Sequence, residues 1–442
     1  MKILIIHNKY GKYSGEEAVV DAQIDLLRAN GHQVITYFRS SEELETMPNG
    51  KIKAFFTAFY NAKVINEIKK RIAKEKPNLV HVHNLYPIIS PAILPEIKKL
   101  GIPIVMTIHN YRLLCPNGLF FTNGSVCEKC TGFGKELNCI TNNCEGSVFK
   151  STGYALRNLW ARTSKYYLNN IDAYLCLTEF QKNKLVDNNF DANKCFVIPN
   201  MYSKNIKDVE YHIKDRNYIA FAGRISPEKG IPLLLEAAKK LSHINFQLAG
   251  KMRKGYEKAL ELPNNVTLRG MLNAEEMETF YINARLYLHT SICYEGFPMV
   301  FPEAMAYKLP IIAPKMAGYP EIAENNFNGL LFKPNNAEDL VKMIMSVWQD
   351  EEKLKRLGLN GFNKMKEQYT HASWLMYNDK NWFGMWNHEY VGKNYNAEVG
   401  FVPRTTLYDD LRNEVHKLSY WRLEPEITKR FFPKKGKIVT IS

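Results

Sequence analysis

Glu295-Gly-Phe-Pro-Met-Val-Phe-Pro-Glu303, followed by Ala304-Met-Ala306, is the stretch from which the fold of this chain is read. Two carboxylates stand eight positions apart, with a glycine after the first and helix-forming residues around the second. The pattern predicts a strand, a glycine loop and a helix. Glu295 then sits on the loop at the carboxyl end of a strand, and Glu303 one turn or more into the helix. Loops in that position are where open α/β sheets bind ligands. An ionised carboxylate accepts several hydrogen bonds, which suits the hydroxyls of a sugar and a ribose. The alternative is a carboxylate that only complements a helix macrodipole.

Gly223-Arg224-Ile-Ser-Pro-Glu-Lys229-Gly230 repeats the same grammar. It follows the apolar run Tyr218 to Ala222 and precedes a helical pattern from Ile231 to Leu241. Helix N-termini bind anions through free backbone N–H groups. Arg224 adds a planar fork for phosphate oxygens and Lys229 a mobile point charge. A solvated basic turn is the other reading.

Working outward, short apolar runs alternate with helical patterns along the chain. Runs of strand character are Ile3 to His7, Gln33 to Phe38, Leu79 to His83, Ile104 to Ile108, Ala173 to Leu177 and Phe196 to Ile198. A polar stretch from Ser203 to Arg216 reads as a linker. Beyond it come Tyr218 to Ala222, Asn245 to Leu248, Val266 to Leu268, Leu286 to His289, Pro310 to Ala313 and Leu330 to Phe332. Apolar strands separated by helices imply parallel sheets covered on both faces. The expected fold class is therefore α/β, with domains at 1–200 and 217–370 facing each other across a cleft, the usual place for a site.

On these residues the chain resembles the retaining GT-B glycosyltransferases of family 4 (group 1). Gly-Arg-x4-Lys-Gly, Glu-x7-Glu and the following Ala-Met-Ala carry the resemblance. Gly318-Tyr-Pro-Glu-Ile322, Asn328-Gly-Leu-Leu-Phe332, Val197-Ile-Pro-Asn200 and Thr107-Ile-His-Asn110 support it over about residues 1–370. It implies two Rossmann-like doubly wound domains, an acceptor side in the first and a nucleotide-sugar donor side in the second. It further implies transfer of a hexosyl group, with retention and without a metal, from a nucleotide-diphosphate sugar to a glycan or lipid-linked acceptor, in cell-surface polysaccharide synthesis.

Carried onto this sequence, the resemblance gives His109, Arg224, Lys229 and Glu295 catalytic roles. Gly15, Gly223, Arg224, Lys229, Glu295, the Gly296-Phe297 backbone and Glu303 would hold the donor, with Glu303 on the ribose. Glu16, His83 and Asn110 would face the acceptor, although Glu16 or Glu17 could equally cap the first helix. His81 and His83 alternate on a strand and share one face; a structural histidine is the competing reading for each. The first glycine loop departs from the family's Gly-Gly-x-x: it reads Ser14-Gly15-Glu16-Glu17, and its turn is expected at Gly11 and Gly15.

Other classes are narrowed by what is missing. No Gly-x-Gly-x-x-Gly follows the first strand, against a nicotinamide dehydrogenase. Neither a Walker loop nor an Asp-x-Asp motif occurs, and positive charge from Arg224 and Lys229 can stabilise a leaving diphosphate instead. No cofactor is expected for catalysis. A sugar-nucleotide epimerase, a glycan phosphorylase and a basic zinc-containing binding protein remain alternatives.

A net charge of +14 over 442 residues calls for an anionic partner. No nucleic-acid-binding signature occurs, so an anionic membrane surface is the expectation, reached from a cytoplasmic location. Lys51 to Lys63 mixes lysines with Phe55, Phe56, Phe59 and Tyr60; Phe149 to Tyr167 carries Arg157, Trp160, Arg162 and Lys165. Such helices can lie in the headgroup region, but the second is expected to pack its aromatic face on a core. The N-terminal Met1 to Ile6 reads as a buried strand, not a signal peptide. No apolar run reaches the roughly 20 residues needed to span a bilayer.

Five of eight cysteines fall in a segment at about 115–146. Cys127 and Cys130 have zinc-ligand spacing, and Cys139 with Cys144 could complete a four-sulfur structural site; free thiols in an ordered insertion are the alternative. The aromatic tail at 376–442 matches nothing in the transferase pattern, and no role is assigned to it.

Overall fold

The computed structural model describes residues 1–374, apart from 12–13, 45, 47–49, 205, 207–212, 214–215 and 372. The expectations for the tail at 376–442, and for most of the linker, lie outside the described residues. The described residues make one compact unit.

The first sheet contains β1 (Lys2–Lys9), β2 (Gln33–Ser40), β3 (Leu79–Val82), β4 (Ile104–Ile108), β7 (Ala173–Cys176) and β8 (Cys195–Val197). A small antiparallel hairpin, β5 (Phe121–Thr122) with β6 (Ser125–Val126), interrupts the series inside the cysteine-bearing segment. The second sheet contains β9 (Tyr218–Ala222), β10 (Asn245–Ala249), β11 (Val266–Gly270), β12 (Ala284–Leu288), β13 (Ile311–Pro314) and β14 (Gly329–Phe332). Each sheet has six strands, in the orders β2-β1-β3-β4-β7-β8 and β11-β10-β9-β12-β13-β14. All neighbours within them run parallel.

The apolar runs at the middle of each sheet become strands covered on both faces, while the edge strands β2 and β11 are partly open to solvent. Ile3, Ile5, Leu79 and Val80 are wholly buried in the first sheet, as are Ile219, Leu286 and Leu288 in the second. Both sheets are doubly wound. The strand order reverses between β1 and β3 in the first and between β9 and β12 in the second, and loops leaving such a switch point splay apart to leave a crevice. The loop after β9 carries Arg224 and Lys229; the loop after β12 carries Glu295. The two charged motifs, far apart in the chain, therefore meet at one switch point.

Two glycines make that meeting possible. Gly230 has φ +70°, and a Cβ there would lie 1.8 Å from the carbonyl oxygen of Thr290. Gly250, at φ +140°, would set a Cβ 1.8 Å from the oxygen of Gly223. Only a residue without a side chain allows backbones so close. Gly15 behaves otherwise than expected: it opens the helix Gly15–Ala29 behind the N-cap Ser14, while the turn is made by Gly11 at φ +91°.

Candidate active site

Glu295 is held by three side chains in the crevice of the second domain. Its Oε2 lies 2.6 Å from Nζ of Lys229, and its Oε1 lies 3.2 Å from Nε2 of His289. The hydroxyl of Tyr319 approaches Oε1 at 3.4 Å. Burial pushes the Glu295 carboxyl up, yet the Lys229 ammonium and His289 hold it well below the usual carboxylate range. Burial disfavours the charge on Lys229, but Glu295 outweighs it and the ammonium is held. The two loops are stitched together by backbone as well: Ile292 N–H donates to Glu228 O at 3.1 Å, and the Thr290 hydroxyl donates to Lys229 O at 2.9 Å.

Arg224 stays open to solvent at 64% side-chain exposure, 3.5 Å from Glu228; Arg253 flanks the same carboxylate at 3.3 Å. An exposed guanidinium at the mouth of the crevice offers a planar fork of donors to an incoming anion. Glu303 lies within the helix Val300–Ala306, where Tyr281 donates to it at 3.2 Å and Lys204 stands 3.8 Å away. Burial raises its carboxyl against those two partners. The Phe297 ring packs on Tyr369 at 5.4 Å inside the second domain's core. Only the backbone of Phe297 is thus left to a ligand.

Across the cleft, His109 follows β4. A Cβ on Gly296 would stand 2.5 Å from its carbonyl oxygen, so the Glu295 loop rests directly on the first domain. His109 Nε2 pairs with His83 Nδ1 at 2.9 Å, and burial holds the His109 imidazole down to about 3. His81 bonds Thr107 at 2.8 Å behind it. These rings form a neutral stack, with His81 and His83 centroids 4.2 Å apart. A small cavity beside them is lined by Glu16, His83, Asn84, His109, Asn110 and Arg112.

The structure separates the two acidic residues left ambiguous by the sequence. Glu17 forms the capping box with Ser14. Glu16 turns inward, 3.8 Å from His7, and accepts from the Tyr10 hydroxyl at 2.9 Å. Burial pushes its carboxyl up against the pull of His7 and Arg112. Asn110 accepts the Arg112 N–H at 3.0 Å. Sequence reasoning missed His289, Tyr319, Arg112 and Arg253. Tyr319 stood inside the quoted motif Gly318-Tyr-Pro-Glu-Ile322, His289 at the end of a quoted run and Arg112 two residues after Asn110, but none of the three carried a signal of its partner; Arg253 stood in no quoted motif.

The helix Val148–Thr163 corrects an expectation. Its buried face consists of Ser151, Ala155, Arg157, Asn158 and Ala161, whereas Phe149 is 60% and Trp160 46% exposed. Arg157 satisfies itself on Pro116 O and stacks over the Tyr86 and Tyr154 rings. The core therefore takes the small and hydrogen-bonded residues, with Tyr167 beyond the helix, and leaves Phe149 and Trp160 outside. In the cysteine segment, Cys130 and Cys139 are buried and Cys127 and Cys144 half-buried, all as free thiols. Burial raises the Cys130 thiol to about 12. Among the described residues, no three His, Cys, Asp or Glu side chains are grouped as metal ligands. No described helix is long and apolar enough to cross a membrane.

Two family models match adjoining stretches of the chain. The model of glycosyl transferases group 1 matches residues 203–364, and that of glycosyltransferase family 4 matches residues 13–203. An uncharacterized glycosyltransferase of Methanocaldococcus jannaschii is 28% identical over 384 residues, 85% of this chain and 95% of its own. The lipopolysaccharide 1,2-N-acetylglucosaminetransferase of Salmonella typhimurium is 32% identical over 157 residues, 32% of this chain and 41% of that one. HepE of Anabaena, solved with UDP and glucose, has a TM-score of 0.60 at 17% identity, over 88% of this chain and 100% of its own. Sucrose-phosphate synthase of Thermosynechococcus elongatus reaches 0.64 at 17% identity, over 87% and 99%. Both structures speak for the fold alone.

Proposed function

Because this chain belongs to the GT-B glycosyltransferases of the group 1, family 4 type, we propose that it moves a hexosyl group from a nucleotide-diphosphate sugar to a glycan or lipid-linked acceptor, with retention, in cell-surface polysaccharide synthesis. The observation that carries the reading is the Lys229–Glu295 pair at the switch point, with Arg224 at its mouth. One cation of a phosphate site is thereby held beside a carboxylate that can accept sugar hydroxyls.

In this reading Arg224 and Lys229 hold the diphosphate and stabilise its charge as the glycosidic bond breaks, as a divalent ion would elsewhere. Glu295 and the Gly296-Phe297 backbone hold the sugar, and Glu303 the ribose. The leaving phosphate oxygen takes the acceptor proton on the face it departs from, so no protein base is required and configuration is kept. His109, held neutral, offers a hydrogen bond without competing for that proton. Glu16, His83 and Asn110 line the acceptor side.

The acceptor end of the reading places the chain on an anionic membrane surface. Phe56, Tyr60, Val148 and Phe149 are all more than half exposed, and a 6.2 Å contact between the Phe55 and Phe149 rings joins their two helices. Lys53, Lys63 and Lys150 are exposed around them. No acidic residue occurs at 50–66 or between Glu145 and Asp172. Exposed rings flanked by cations match the headgroup layer of anionic lipids.

The test is thermal stabilisation and nucleotide release with UDP-, GDP- and ADP-sugars, in EDTA throughout. Stabilisation by one nucleotide class supports the donor site, since a ligand of the native state raises its melting temperature by mass action. A folded protein that responds to none of them would defeat the reading.

A further inference from the structure

Tyr294, the neighbour of Glu295, leaves its own domain and enters an aromatic socket in the other. Its ring centroid lies 5.0 Å from Phe180, 5.8 Å from Phe120 and 6.1 Å from Tyr111, all edge-on. Its hydroxyl donates to Oε1 of Glu128 at 3.0 Å. Lys184 donates to both oxygens of that carboxylate, at 2.8 and 2.7 Å. Glu128 belongs to Cys127-Glu-Lys-Cys130 in the cysteine-bearing insertion, which had no role in the reading above.

The insertion is built to carry force. Cys127 N–H donates to the oxygen of Phe120, a wholly buried residue, at 2.8 Å. Further along, Arg162 pairs with the buried Glu136 at 2.8 Å and donates to Leu114 O at 3.1 Å. One end is thus rooted in the acceptor domain while Glu128 grips the donor-side loop. A charge-assisted hydrogen bond inside an aromatic socket fixes direction as well as distance. Two looser tethers accompany it: the Tyr111 hydroxyl reaches Glu295 O at 3.4 Å, and Gly296 rests on His109.

We infer that the insertion, through Glu128 and Tyr294, is a strut that positions the Glu295 loop against the acceptor domain. Glu128 and Tyr294 are positioning residues: neither reaches a reacting atom, and both act through the placement of Glu295. Small displacements of a positioned group cost large factors in rate. The inference rests on the reading of this cleft as the site of transfer.

The experiment compares the full chain with Tyr294→Phe, Glu128→Gln and the double variant. Tyr294→Phe keeps the ring in its socket, and Glu128→Gln keeps the shape of the acceptor, so both are expected to fold. Two quantities are read: amide hydrogen exchange over residues 290–299, and steady-state turnover of the nucleotide sugar that stabilises the wild type. The strut predicts faster loop exchange in each single variant, with no further rise in the double. It also predicts a kcat about tenfold lower with donor KM nearly unchanged. Unchanged loop exchange in Tyr294→Phe overturns the strut whatever the turnover. Raised exchange with wild-type kcat overturns the positioning role. A wild type that transfers nothing, with exchange raised equally in both single variants, upholds the strut and sinks the reading of the cleft.

Discussion

Lys229 donates from Nζ to Oε2 of Glu295 at 2.6 Å, although the two belong to different loops on opposite sides of a switch point. The pair holds an ammonium against a buried carboxylate, so neither can be removed without disturbing the other.

The consequence separates two substitutions that look alike. Arg224 is largely exposed, so Arg224→Ala is expected to change stability by no more than about 0.5 kcal/mol while lowering turnover about 100-fold. Lys229→Ala leaves Glu295 in the crevice without its ammonium and is expected to cost roughly 3 kcal/mol of stability as well. Denaturant titration beside kcat measurement checks both. Near-normal turnover in the two variants would remove them from the donor site.

Gly296→Ala tests the cleft itself. The added methyl would begin 2.5 Å from the His109 carbonyl oxygen, and backbone cannot yield as a side chain can. The loop and the first domain must part, with an expected loss of about 100-fold in kcat and a melting transition close to that of the wild type. Full activity would mean that the contact is not kept during turnover.

Stability should fall in mild acid. Burial lowers His7 to about 4 and His81 to about 3, and holds His83 well below its ordinary value of 6.5. All three are depressed, so the unfolded chain binds more protons than the folded one between those values and 6.5. Their contribution is complete above pH 6.5 and is lost as the pH drops, at up to about 1.4 kcal/mol per pH unit for each ring. Melting temperatures from pH 7.5 to 5 provide the check. A flat profile there would show that the rings charge within the fold.

Zinc at Cys127, Cys130, Cys139 and Cys144 is proposed on the spacing of the thiols. Elemental analysis of protein prepared without chelator is expected to find close to one zinc per chain, lost in Cys130→Ser. Four titratable thiols on metal-free, folded protein would exclude it.

Membrane contact predicts that the chain sediments with vesicles of phosphatidylglycerol and less with phosphatidylcholine, and that high salt releases it. Phe56→Ser with Phe149→Ser should weaken that binding at least about tenfold, since each exposed ring can bury apolar area. Equal binding by the variant would move the contact elsewhere on the surface.

What the sequence determined by itself was local. Twelve apolar runs became the twelve strands of the two large sheets, with ends shifted by a residue or two, because burial on both faces needs nothing more than a continuous apolar segment. Glu295 on its loop and Glu303 in its helix follow from one strand-loop-helix unit. The tertiary structure alone decided which loops met. Glu295 found Lys229 because β12 lies beside β9 at a switch point, His83 found His109 because β3 lies beside β4, and Tyr294 found Glu128 where the two domains meet; none of these follows from spacing along the chain. It also turned Phe149 and Trp160 outward, since a helix buries the face its neighbours can pack. Beside the Tyr86 ring and the backbone of Pro116, that face was the one carrying Ala155, Arg157 and Asn158.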